Sequence, residues 1–131
     1  MKYLKYSVLL FVCALVLSVF GVNAKNVAVN VTIPIFSQSI LAKDHVNKEE
    51  SGIQQIKKES CVDNVSGDGR VVLAQTYSYY DPVRSSGWIE VPYSYVNWGS
   101  ENSWTGQFRL MLKSKKSLPT TASFSGTWKI S

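Results

Sequence analysis

The sequence predicts an all-β protein, an antiparallel β-sandwich or small barrel of about six strands, preceded by a cleavable helical signal peptide. Three observations support this prediction. Apolar residues recur with a period of two through most of the chain after residue 24. Clusters of turn-forming residues separate the alternating runs. No long helical pattern, heptad or internal repeat occurs, so short strands with short connections are the favoured architecture.

The first 24 residues have the three parts of a secretory signal peptide. Two lysines stand in the first five residues, residues 8–22 are almost wholly apolar, and Val22-Asn23-Ala24 offers small residues before a cleavage site after Ala24. A membrane-spanning helix is the alternative, but it needs roughly 20 apolar residues. This run has about 15. We therefore expect a secreted, extracellular protein whose single domain comprises residues 25–131.

Removal of the signal peptide changes the charge and the cysteine content. The full chain has 14 basic and 9 acidic residues, a net charge of +5, and the mature domain keeps +3. This excess is too weak and scattered for nucleic acid, which requires a clustered basic stripe, but it favours anionic surfaces mildly. Only Cys61 remains, so the mature domain has no internal disulfide. We expect this thiol to be buried as a small hydrophobe; intermolecular pairing and reactivity are the alternatives.

The alternation of apolar residues places the first elements. Val27 to Phe36 forms a strand with one apolar face, and Pro34 puts that strand at a sheet edge or ends it. Residues 37–52 are polar without a sustained period and are expected to form a mobile loop. Residues 53–62 fit a helix or a strand, and we choose a strand because the rest of the chain is β.

Further alternating runs follow a turn. The turn formers of Asn64 to Gly69 predict a link between two antiparallel strands. In the later runs Phe108, Phe124 and Trp128 belong to the core by their phase. The predicted strands are Arg70 to Tyr80, Trp88 to Trp98, Trp104 to Lys113 and Ala122 to Ser131.

The sequence does not indicate catalytic machinery. The mature chain has a single histidine, His45, and nothing marks Cys61 as its partner in a nucleophilic pair. Glu90 and Glu101 could form the carboxylate pair of a small hydrolase, but Glu90 is explained as a solvated strand residue. The segment 64–69 partly matches a calcium loop, yet the twelfth position lacks the required Glu. We expect no enzymatic activity, catalytic residue, metal or cofactor.

The aromatic residues are concentrated in the second half of the chain. Residues 25–76 contain one, and residues 77–131 contain eleven. Adjacent tyrosines at 79 and 80 cannot both face a core, and the tryptophans at 88 and 98 are out of phase with their neighbours. Exposed Tyr and Trp give a large contact area at low entropy cost. The alternative is that the residues of both alternating sets, on either face of a strand, are buried at the ends of a sandwich. The predicted ligand-binding surface consists of Tyr79, Tyr80, Trp88, Tyr95, Trp98 and Trp104.

The predicted function is non-enzymatic binding through this aromatic surface. The partner is expected to be a cell-surface glycan, an anionic membrane surface or a protein. The run Trp98 to Trp104 resembles a tryptophan-rich stretch of the aegerolysins, small β-sandwich proteins that bind membrane lipids, and Tyr77 to Tyr80 resembles secreted bacteriocins of the lactococcin type. These short likenesses imply the first alternative, a bacteriocin or membrane-active toxin-like protein. The second alternative is the hydrolase with a carboxylate pair.

Overall fold

The computed structural model describes residues 25–48, 54–78, 85–97 and 105–130. These residues are all-β, as the sequence predicts, with eight strands rather than about six. None of them forms a helix that is long and apolar enough to cross a membrane. The expected signal peptide, residues 1–24, lies outside the described residues. The strands are β1 (Lys25–Ile33), β2 (Ile40–Lys48), β3 (Gln54–Asp63), β4 (Val72–Ser78), β5 (Ile89–Glu90), β6 (Val96–Asn97), β7 (Gly106–Ser114) and β8 (Ala122–Ile130).

The strands form two antiparallel sheets of four strands in a sandwich-like arrangement. Sheet A has the order β1-β8-β3-β6, and sheet B has the order β2-β7-β4-β5. The alternation predicted for β1, β7 and β8 is confirmed, because the apolar phase of each strand faces inward. The inward faces of both sheets meet in one core, whose largest apolar members are Trp128, Phe108, Phe124, Ile33, Ile56, Leu110, Leu112 and Ile130.

Strand β8 lies in the interior of sheet A and pairs along its whole length with β1 and β3. Gly126 is essential to this strand. A Cβ atom there would collide with the carbonyl oxygen of Lys57 and lie 2.9 Å from two ring carbons of Phe124. Only a glycine therefore lets the Phe124 ring and the β3 backbone approach β8 this closely.

The structure corrects the expected loop at residues 37–52. Residues 40–48 are strand β2, at the edge of sheet B and paired with β7. The pairing register shifts between Leu41 and Lys43 and again between Lys43 and Val46, and His45 has a φ of 51°. These irregularities break the period of two on which a strand prediction depends, so this segment had no strand signature.

Strand β3 confirms the choice of strand over helix for the described part of residues 53–62. A register shift between Lys58 and Ser60 reverses the phase of the strand. Ile56 and Cys61 therefore both face the core, while Val62 faces outward and is 41% exposed. The Cys61 side chain is only 1% exposed, as expected, and burial raises the pKa of its thiol.

The predicted turn between β3 and β4 is present, but it joins strands of different sheets. Asp63 anchors this turn. Its Oδ1 accepts hydrogen bonds from the N–H groups of Val65 (2.8 Å) and Ser66 (2.9 Å), and its Oδ2 binds Arg70 and Thr120. The hydrogen bond from Thr120, followed by those from the two backbone groups and from Arg70, holds the pKa of Asp63 well below its usual value.

The expected continuous strand from Trp88 to Trp98 is two short strands. β5 pairs with β4 in sheet B, whereas β6 pairs with β3 in sheet A. Between them Val91 is buried, and the carbonyl of Pro92 accepts a 2.8 Å hydrogen bond from the N–H of Lys58. The chain therefore crosses between the sheets inside a run whose alternation looks unbroken.

Candidate functional site

Two of the six predicted aromatic residues belong to the described part of the chain. Trp88 immediately precedes β5 of sheet B, and Tyr95 immediately precedes β6 of sheet A. The structure therefore does not bring these two residues together on one surface. The remaining predicted residues lie outside the described residues: Tyr79, Tyr80, Trp98 and Trp104.

Trp88 is half-buried on the outer face of sheet B, where a lysine lies over its ring. The Nζ atom of Lys113 is 4.2 Å from the ring centroid. Tyr77 on the same sheet is in a similar position, with the Arg109 guanidinium carbon 5.1 Å from its ring centroid. Both rings are half-buried and each is in contact with a cation.

The polar groups on this face also bind one another. The hydroxyl of Tyr77 donates a 2.6 Å hydrogen bond to Oε1 of Gln75, and Nε2 of Gln75 donates to Oγ of Ser85. Glu90 forms an exposed ion pair with Lys115. Glu90 is thus exposed at the surface, as expected, whereas its proposed partner Glu101 lies outside the described residues. The polar side chains named here therefore already bind one another through hydrogen bonds and an ion pair.

The outer face of sheet A is built differently, mainly from short hydroxyl and amide side chains. The antiparallel registers set these residues in rows across β1, β8 and β3. We call this surface the polar face. Its residues are Asn26, Ala28, Asn30 and Thr32 of β1, Ser123, Ser125, Thr127 and Lys129 of β8, and Gln55, Lys57, Ser60 and Val62 of β3.

One half of the polar face contains a shallow depression of about 440 Å³. Two rows of the sheet form it. In one row Thr32 and Val62 flank Ser123, and in the next Asn30 and Ser60 flank Ser125. From Ser123 to Lys129 the face extends roughly 20 Å along β8, given the rise of a strand per residue.

Most hydrogen-bonding side chains of the polar face form no hydrogen bond with another described residue. Ser123 is an exception, because its Oγ donates a 2.6 Å hydrogen bond to Oδ1 of Asn64. The unused donors and acceptors can bind an external partner. Side chains of the polar face that form no hydrogen bond with any other described residue are Asn30, Thr32, Ser60, Ser125 and Thr127.

Tyr95 lies at the opposite end of the polar face from the depression. It is 37% exposed, and two ammonium groups approach its ring. Nζ of Lys57 is 4.9 Å from the ring centroid and Nζ of Lys129 is 5.3 Å from it. Lys57 also forms an ion pair of 3.3 Å with Glu59. Nearby in sequence, Tyr93 is 66% exposed, with Nζ of Lys58 4.7 Å from its ring centroid.

The nucleophile and metal arrangements considered from the sequence gain no support from the geometry. Cys61 faces the core from sheet A, while His45 is exposed on β2 of sheet B, where its Nδ1 lies 3.2 Å from Oε1 of Gln107. Among the described residues, no group of three His, Cys, Asp or Glu side chains could hold a metal ion.

The polar face is the part of the candidate site that the aromatic pattern did not reveal. A signal for it was present in the outward phase of β8, where Ser123, Ser125 and Thr127 alternate with core residues.

Comparisons with protein-family models, curated proteins and solved structures found no match to this chain.

Proposed function

We propose that this protein is a secreted, non-enzymatic binding protein that holds an acidic glycan along the polar face of sheet A. The observation that supports this proposal is the row of unused hydroxyl and amide groups that leads from the depression to an exposed tyrosine between two lysines. The length of the face suits a chain of sugar units rather than a single sugar.

The chemistry of the face favours a glycan over the other partners considered. Sugar hydroxyls both donate and accept hydrogen bonds, as do the serine, threonine and asparagine side chains that face them here. The ring of Tyr95 offers a flat apolar surface with a polar tip on which the C–H face of a sugar can pack. Protein interfaces and lipid surfaces instead require a core of apolar side chains, and Val62 is the only large apolar residue of this face.

The two lysines beside Tyr95 explain the preference for an acidic ligand. Lys57 and Lys129 place two positive charges at one end of the face, and among the described residues an ion pair is formed by Lys57, with Glu59, and not by Lys129. A carboxylate or phosphate on the glycan would form charge-assisted hydrogen bonds with these ammonium groups. Lys57 would exchange Glu59 for the ligand.

The test compares an acidic with a neutral polysaccharide. Isothermal titration of the exported protein should show binding to polygalacturonate fragments, little binding to dextran fragments, and weaker binding to polygalacturonate as salt concentration rises. Lys57→Gln/Lys129→Gln should weaken binding to polygalacturonate by about tenfold or more, because hydrogen bonds to charged groups are lost.

The matched control is Lys113→Gln. This lysine also lies over an aromatic ring, but on the outer face of sheet B. The Lys113→Gln variant should leave polygalacturonate binding unchanged. Equal losses in the Lys113→Gln and Lys57→Gln/Lys129→Gln variants would place the site elsewhere. Leakage of anionic vesicles with no binding to polygalacturonate would replace the proposal by the membrane-active alternative.

A further inference from the structure

Strand β1 is an edge strand of sheet A in the described part of the chain. It is the outermost strand of sheet A, with β8 on one side, and all nine of its residues pair with β8 without a register shift. In an antiparallel strand, alternate residues direct their N–H and C=O groups to opposite sides. Half of the β1 backbone groups therefore point away from β8, and no other described strand pairs with them. Such an edge is a template for another strand.

The other long edge strand, β2 of sheet B, is protected against such pairing. It has two register shifts and a residue with positive φ, His45, and it carries the charged side chains of Lys43 and Asp44. Bulges and charges of this kind prevent regular pairing with another strand. None of these features occurs in the straight part of β1 between Asn26 and Ile33.

We propose that β1 pairs antiparallel with β1 of a second copy, across a two-fold axis at Val29. The sequence of the strand is self-complementary in this register. Val27 then lies opposite Val31 of the second copy, and Ala28 lies opposite Asn30 of the second copy. Every inward-facing residue meets an inward-facing residue, so both cores continue across the new pair.

Charge and chain geometry support the same register. Lys25 is the only charged residue of β1, and its opposite position is the neutral Ile33 of the second copy, so no like charges meet. Pro34 follows Ile33 and has no N–H group to donate, which ends the pairing at the same point in both copies. The half-buried Val27 and Val31 side chains gain cover from each other.

The dimer has a consequence for the proposed glycan site. Pairing at β1 makes sheet A an eight-stranded sheet, with the polar faces of both copies on the same side. The pairing itself rests on the edge of β1 and holds whether or not the face binds a glycan. If both proposals hold, one glycan chain can contact two sites, which raises the overall affinity.

The test uses charges placed opposite each other across the two-fold axis. Asn30-Val-Thr32 is a triplet of the type that accepts an N-linked glycan. For this experiment the protein is therefore produced in a bacterial expression host, which leaves the triplet unmodified. Sedimentation equilibrium should give twice the chain mass for the wild type. Ala28→Lys/Asn30→Lys and Ala28→Glu/Asn30→Glu should both give the monomer mass, because like charges then face each other. Ala28→Lys/Asn30→Glu should remain a dimer, because opposite charges then face each other.

Both substituted positions are exposed, so the fold should survive, and thermal unfolding followed by circular dichroism checks this. The Lys/Lys variant raises the positive net charge of the mature domain and the Glu/Glu variant lowers it, so a general effect of net charge would act on these two variants in opposite directions. A monomeric wild type would overturn the proposal. A dimer that persists in both like-charge variants would also overturn it, because the copies would then meet through another surface.

Discussion

The outer faces of both sheets contain aromatic rings beside cations, but their polar side chains differ in size and in how they are bound. On sheet B, Trp88 lies beneath Lys113 and Tyr77 lies beside Arg109, and the polar groups between them are bound to each other. On the polar face of sheet A, an exposed Tyr95 with two lysines stands at the end of a row of hydroxyl and amide groups, most of which bind nothing else among the described residues.

This difference shows that residue type alone does not identify a binding surface. A tryptophan with a cation over its ring contributes to stability, because the ring is covered and the cation is held in place. Most short polar side chains of the polar face form no hydrogen bond with another described residue, so their hydrogen-bonding groups stay available. The face with the smaller side chains is therefore the better candidate for a ligand.

The largest expected effect concerns the strand that displays the polar face. Gly126→Ala should lower the free energy of unfolding by about 1–3 kcal/mol, because the new methyl group collides with the Lys57 carbonyl and the Phe124 ring. Urea denaturation measures this loss. Gly69→Ala is the control, because nothing lies within 4 Å of a Cβ at that position. An unchanged stability for Gly126→Ala would show that β8 and β3 are not packed as described.

The next effect separates the roles of the two aromatic residues. Trp88→Ala should lower the free energy of unfolding by about 1–2 kcal/mol, because a half-buried ring and its contact with Lys113 are lost. It should leave polygalacturonate binding unchanged. Tyr95→Ala should weaken polygalacturonate binding and should lower the free energy of unfolding by less than Trp88→Ala does, because the Tyr95 ring is smaller and more exposed. Urea denaturation measures the stability of both variants, and titration calorimetry measures their binding to polygalacturonate. Weaker binding in Trp88→Ala together with unchanged binding in Tyr95→Ala would assign the ligand to the outer face of sheet B instead.

The smallest effect is expected at the exposed ion pair of sheet B. Glu90→Gln should change the free energy of unfolding by less than about 0.5 kcal/mol, because its pair with Lys115 is exposed to solvent. Urea denaturation against wild type checks this value. The variant also tests the hydrolase alternative. A glycan-cleaving activity of the wild type that disappears in Glu90→Gln would contradict the non-enzymatic proposal.

Much of the fold could be predicted from the sequence because regular strands preserve their alternation. β1, β7 and β8 keep an unbroken alternation because the extra residues at the register shifts lie on β2 and β3, and the expected core residues Phe108, Phe124 and Trp128 are buried. β2 could not be predicted because two register shifts interrupt its pattern. The sheet change near Pro92 was hidden for the opposite reason, since the alternation continues there while the chain moves from one sheet to the other.

The candidate site was predictable only in part. Tyr95 was included in the predicted surface because aromatic residues are conspicuous in a sequence. Ser125 and Thr127 were not, because such residues are common on the solvent side of any strand. Their importance depends on the alignment of β1, β8 and β3, which brings residues nearly a hundred positions apart into one row, such as Asn30 and Ser125. A single sequence does not contain that alignment.

The most direct test of the central claim is to map the bound glycan on the two faces. Amide chemical shifts of the isotope-labelled protein, recorded by nuclear magnetic resonance during titration with polygalacturonate fragments, report which strands contact the ligand. We expect the largest shifts at Ser123, Ser125 and Thr127 of β8 and small ones at Arg109 and Lys113 of β7. Shifts concentrated on β7, or none at saturating ligand, would contradict the assignment of the polar face as the binding site.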